Sequence, residues 1–149
     1  MTEFIRKQYS AHRDVILYIF WGGVTTLVSY AAYFASRYAL TAATGRPDKD
    51  NLILTAATAV SWILAVSVAF VTNKLFVFES RSWRRSALAR ELPPFFAARA
   101  LSYFIDEGLT ILCIGILGWN EPLVKIMNNV IIVAFNYIAS KFVIFRKIG

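Results

Sequence analysis

Hydrophobic residues run in four continuous blocks along the chain: Val15 to Leu40, Leu52 to Phe78, Phe95 to Leu117 and Leu123 to Phe145. Each block has about twenty residues or more, enough for a helix to cross about 30 Å of hydrocarbon. None alternates with the period of two that a barrel strand needs. A helix satisfies its backbone groups internally, as lipid demands. The pattern predicts an all-α membrane protein with four transmembrane helices, a single integral membrane domain over residues 1–149.

The first block exceeds the roughly 7–15 apolar residues of a signal peptide core. It also holds Gly22, Gly23, Thr25, Thr26 and Ser29, small residues that suit close helix packing. It is read as a retained span. Residues 79–94 separate the second and third blocks and are rich in arginine. Ser80 or Ser82 at the start and Pro93-Pro94 at the end outline a short interfacial helix, with Trp83, Ala87 and Leu88 roughly on one side. A plain charged loop is the other reading. The N-terminal tail, with Phe4, Ile5 and Tyr9 among charges, has a similar character.

The second and fourth blocks end alike. Asn73 to Phe78 reads NKLFVF and Ser140 to Phe145 reads SKFVIF, 67 residues on. This register sets Lys74 over Lys141 and Phe78 over Phe145, while the first and third blocks align only with a gap. Two helical hairpins of the same orientation, a parallel internal repeat, are expected, with a pseudo-two-fold axis along the membrane normal.

Composition supports lipid as the solvent. Hydrophobic residues make up 58% and charged residues 17%, against about 45–50% and 25% in soluble domains. The net charge of +7 fits basic residues flanking spans better than a nucleic-acid surface; no nucleic acid is expected as a partner. Arg6, Lys7 and Arg13 precede the first block, Arg81, Arg84, Arg85 and Arg90 fill the central loop, and Arg146 and Lys147 follow the last block. The loop near Gly45 mixes Arg46 and Lys49 with Asp48 and Asp50, and residues 118–122 have no Lys or Arg. The positive-inside rule puts both termini and the central loop in the cytoplasm. The single cysteine, Cys113, excludes an internal disulfide, and the single histidine, His12, excludes a histidine-rich metal site. No Ser-His-Asp set and no phosphate-cradling glycine loop occurs, so no catalytic residue, cofactor or metal is expected.

Candidate chemistry lies in polar residues within the blocks, which are costly in lipid. The third block holds Arg99, Asp106 and Glu107; Asp106 lies two turns beyond Arg99 on one face, about 10 Å along the axis. Glu107 points about 100° away. The fourth block holds Lys125, Asn128, Asn129 and Asn136, with Asn129 and Asn136 sharing a face. For the asparagines, hydrogen bonding between helices and ligand binding both stand. For Lys74 and Lys141, with Arg37 and Lys125 nearer other helix ends, one reading is snorkelling. The other, drawn from their matched positions, is phosphate binding at the cytoplasmic leaflet.

The chain resembles the GtrA-like family of small four-span bacterial membrane proteins. The resemblance rests on FWGGVTTLVSY (Phe20 to Tyr30), AFVTNKLFVF (Ala69 to Phe78) and FNYIASKFVIF (Phe135 to Phe145). Where such proteins often show an acid in the first span, this chain has Ser29, which shifts weight to Asp106 and Glu107. The resemblance implies a multi-pass protein of the bacterial cytoplasmic membrane that flips a polyprenyl-phosphate-linked monosaccharide, or holds a partner glycosyltransferase, for cell-surface polysaccharide synthesis. Lys74, Lys141, Arg99 and Asn73 would then hold phosphate, and Asp106, Glu107, Asn129 and Asn136 would serve sugar binding or gating. A small multidrug exporter is a third reading, disfavoured because no acid lies between Val15 and Leu40. Anionic membrane lipids are expected against the basic loop. A homodimer is expected because four helices hardly enclose a sugar path.

Overall fold

The computed structural model describes the backbone of residues 2–145 and the side chains of residues 12–145. The side chains of Phe4, Ile5, Arg6, Lys7 and Tyr9, and residues Arg146 and Lys147, lie outside the described set. The described chain is helical: α1 (Thr2–Thr44), α2 (Asn51–Thr72), α3 (Arg85–Thr110) and α4 (Glu121–Ala139). The last three each widen into a π turn, at Asn73–Val77, Ile111–Ile116 and Ser140–Ile144. Among the described residues, three stretches are long and apolar enough to cross a membrane: His12–Thr44, Asn51–Val77 and Glu121–Ile144. The fourth helix, α3, carries Arg99, Asp106 and Glu107 in the segment read as a span.

The helices fall into two compact units, Met1–Glu79 and Ser80–Gly149, each a helical hairpin. In the first, α1 packs along α2. Tyr18 is the one fully buried side chain among the described residues of α1. On α2 the buried residues Ile53, Ala57, Ser61, Ala65 and Ala69 recur every fourth position, and Asn73 and Val77 continue the row through the π turn. Four of these side chains are alanine or serine, small enough for close approach of a second helix. The connecting loop turns at Gly45 (φ +66°), a left-handed conformation that glycine adopts without a steric penalty. Asp50 then caps α2 by accepting a hydrogen bond from the Leu52 N–H at 2.8 Å.

In the second unit α3 packs on α4. Its turn is at Gly118 (φ +67°), and Asn120 caps α4 through the Leu123 N–H at 3.3 Å. Buried positions on α4 again follow a spacing of four: Val124, Asn128 and Asn136, then Ser140 and Ile144.

The same local features recur in both hairpins at the offset of 67 that carries Asn73 to Ser140. Both π turns close with a bond five residues back, Phe78 N–H to Asn73 O and Phe145 N–H to Ser140 O, each 2.9 Å. Both closing phenylalanines pack on a ring of the preceding helix. Phe78 meets Tyr18 at 6.5 Å and 52°, and Phe145 meets Phe95 at 6.0 Å and 56°. Ala57 and Val124, Ser61 and Asn128, Ala69 and Asn136, Asn73 and Ser140, and Val77 and Ile144 are buried at both members of each pair.

One expectation is corrected. Pro93 and Pro94 do not end a short helix in the central loop, and neither Ser80 nor Ser82 caps one. The helix starts at Arg85 without a side-chain cap and runs through both prolines to Thr110. The prolines remove two N–H donors, which would have bonded to the carbonyls of Ala89 and Arg90, but bonds on either side carry the helix past the gap. Ser80 instead donates to the Glu91 carboxylate at 2.9 Å, and Glu91 is buried although the stretch reads as a charged surface loop.

Candidate functional site

The two lysines of the matched helix ends sit in different surroundings. Lys74 has no exposed surface, and its neighbour Asn73 is 3% exposed. A snorkelling lysine keeps its ammonium in water or at the interface, so this placement does not fit snorkelling. A charge so enclosed has to be compensated by oxygen or counter-charge. Lys141 is half-buried. Its Nζ donates to Tyr137 Oη at 2.9 Å and lies 5.3 Å from that ring, a pair four residues apart on one helix face.

Arg99 belongs to the same end of the second hairpin as Lys141. Its guanidinium lies 5.1 Å from the Phe95 ring, a cation–π contact. Phe95 is fully buried and packs against Phe145, the last residue of SKFVIF. The tilted ring contact thus ties Arg99 to the helix end that carries Lys141.

A second polar cluster bridges α3 and α4 farther along the same hairpin. Asn128 Nδ2 donates to Asp106 Oδ1 at 2.9 Å, to Thr110 Oγ1 at 3.1 Å and to the Asp106 carbonyl at 3.3 Å. Lys125 Nζ donates to Thr110 Oγ1 at 3.3 Å. Asp106 and Thr110 share a face one turn apart on α3, and Lys125 and Asn128 do so on α4. Asn128 is 1% exposed, and its Oδ1 has no hydrogen-bond partner. Asn136, two turns on and 3% exposed, also has an unpaired Oδ1.

The predicted site residues therefore separate. Within the second hairpin the structure associates Arg99 with the aromatic core under Lys141, and leaves Asp106 farther along α3 on another set of partners. Glu107 and Asn129 are exposed. Asn128 rather than Asn129 faces Asp106, because neighbouring residues on a helix point about 100° apart. Four-residue spacing from Val124 through Asn128 to Asn136 and Ser140 is the signal in the sequence that singles out Asn128. The buried Glu91 has no such signal, since it stands among arginines.

Outside the helices, Asp50 is held below the usual carboxylate range. The Leu52 backbone N–H is the main cause, and Arg46, whose guanidinium is 3.0 Å away, adds to it. Arg37 reaches from α1 to the same loop, pairing with the carboxylate and backbone oxygen of Asp48.

Residues 17–145 match the family described as GtrA/DPMS, transmembrane domain. The chain is 40% identical over 131 residues to membrane protein YwcD of Bacillus subtilis, covering 88% of this chain and 95% of that protein. It is 34% identical over 133 residues to the cell wall teichoic acid glycosylation protein GtcA of Listeria monocytogenes, covering 89% of this chain and 85% of the relative. GtcA of Listeria innocua matches to the same extent. No solved structure matches the chain. The family match and the apolar helices make this a multi-pass membrane protein. The chain belongs to the GtrA/DPMS transmembrane-domain family.

Proposed function

We propose that this protein moves a polyprenyl-phosphate-linked monosaccharide across the cytoplasmic membrane to supply glycosylation of a cell-surface polymer. The observation that carries the reading is Lys74, a lysine with no exposed surface at the π turn of a membrane-crossing helix. Its counterpart Lys141 stands at the matching π turn. π turns are uncommon and concentrate at functional sites. The phosphodiester of such a lipid-linked sugar is an anion that such a lysine suits, since Lys offers a compact point charge. The relatives named for teichoic acid glycosylation support a sugar as the rest of the cargo.

In this reading each hairpin enters and leaves the membrane on the cytoplasmic side, the two form a parallel repeat, and α3 is the fourth span. Lys74 with Asn73 in the first hairpin, and Lys141 with Arg99 in the second, each offer phosphate contacts. Asp106 and Asn136 take the sugar, with Glu107 and Asn129 at neighbouring positions on the same helices. The protein performs no covalent chemistry and works as a homodimer in the bacterial inner membrane. Mass spectrometry of lipids that co-purify with the protein tests this. Enrichment of a polyprenyl monophosphate bearing one sugar, lost in Lys74→Ala/Lys141→Ala, is expected. The same bulk phospholipids in both would contradict it.

A second reading draws on residues 81–85. Residues 81–85, among them Arg81, Trp83, Arg84 and Arg85, are all exposed. Such a strip suits anionic headgroups or a docked glycosyltransferase. Co-purification of the enzyme that survives loss of Lys74 and Lys141 but not of these arginines would favour a scaffold.

A further inference from the structure

We infer that Asn128 reads a hydroxyl group of the carried sugar through its side-chain carbonyl, and so sets sugar preference. The inference rests on the lipid-linked sugar being the cargo.

The orientation of the Asn128 amide is fixed by chemistry. Its Nδ2 faces three acceptors, one of them the Asp106 carboxylate at 2.9 Å. Reversing the amide would set a carbonyl against that carboxylate. Oδ1 must therefore face away, and there it is buried and unpaired. Buried polar atoms are nearly always satisfied, so an orphan acceptor marks a place for a donor.

The equivalent position of the first hairpin is Ser61. It is also buried, but its hydroxyl donates to the Thr58 carbonyl of its own helix at 2.9 Å. One hairpin closes this position and the other leaves it open. Aligning the ring partners Tyr18 and Phe95 likewise sets Ser29 over Asp106 and Gly22 over Arg99. At these three positions the amide, the carboxylate and the guanidinium all belong to the second hairpin.

The ligand class follows from donors and acceptors. Thr110 Oγ1 already accepts from Asn128 and from Lys125, so its own proton is what it has left to offer. The cluster then leaves two groups uncommitted, an acceptor at Asn128 Oδ1 and a donor at the Thr110 hydroxyl, whose oxygen lies 3.1 Å from the same amide's Nδ2. A phosphate oxygen cannot donate to Oδ1, and an ammonium group cannot accept from Thr110. A sugar hydroxyl does both.

The test uses the full chain in nanodiscs and a panel of farnesyl phosphates: bare, and carrying glucose, galactose, mannose or N-acetylglucosamine. Deoxy analogues of the tightest binder complete the panel. The wild type is expected to prefer one glycosylated probe over bare farnesyl phosphate by about tenfold or more. One deoxy analogue should lose that preference. Asn128→Ser, which copies the first hairpin, should lose it too while binding bare farnesyl phosphate as before. Thr110→Val, which leaves Asn128 in place, should weaken the same preference. Full sugar preference in Asn128→Ser, or a wild type that binds bare and glycosylated probes equally, overturns the inference and leaves the phosphate reading standing. Failure of the wild type to bind any probe overturns both.

Discussion

Asn128 on α4 donates to the Asp106 carboxylate on α3 at 2.9 Å, and this bond joins the two helices of the second hairpin inside its buried face. Hydrogen bonds to a charged group contribute about 1.5–3 kcal/mol, more than neutral ones. Losing either partner removes the same interaction. The changes Asp106→Ala and Asn128→Ala should therefore be non-additive, coupled by roughly 0.5–3 kcal/mol in a double-mutant cycle. Thermal unfolding in detergent measures it. Additivity within about 0.3 kcal/mol would mean that the bond does not hold the hairpin together.

Pro93 and Pro94 leave two gaps in the hydrogen-bond ladder of α3. Alanine at each should restore a bond and raise helix stability, since proline costs about 3 kcal/mol relative to alanine in a helix interior. Slow hydrogen exchange at the new amides in Pro93→Ala/Pro94→Ala is the expected result. Fast exchange there would mean that the helix is open at this point.

Asp50 caps α2 as a carboxylate whose pKa is lowered by the Leu52 N–H and by Arg46. A lowered acid contributes stability that is present above the ordinary carboxylate pKa. That contribution fades as pH falls through the lowered folded-state value. The stability difference between wild type and Asp50→Asn should therefore be constant near neutrality and shrink on acidification. A difference that grows as pH falls would have the wrong sign.

How much of this was legible in the sequence differs by element. The four apolar blocks follow from lipid as solvent, and α1 to α4 with the π turns that extend the last three cover almost all of them. The matched NKLFVF and SKFVIF ends were readable too, and both wind as π turns. The π geometry itself is not, because stretches of 5 or 6 residues are too short to establish a hydrophobic period of their own. The start of α3 at Arg85 is not legible in the sequence, because two prolines usually break a helix. Asn129 matches Asn136 two turns on, whereas the row of buried positions that continues to Ser140 runs through Asn128. The enclosure of Lys74 depends on which residues fold around it, which spacing along one helix does not encode.

We propose that Lys74 and Lys141 contact the phosphate of a sugar-bearing lipid during its passage through the membrane. It is tested most directly in proteoliposomes loaded with labelled polyprenyl-phosphate-linked sugar, by following the label that becomes accessible in the opposite leaflet. Wild type should move the lipid well above the protein-free rate, and Lys74→Ala/Lys141→Ala, inserted to the same level, should fall back to it. Equal rates for wild type and the double variant would contradict the account.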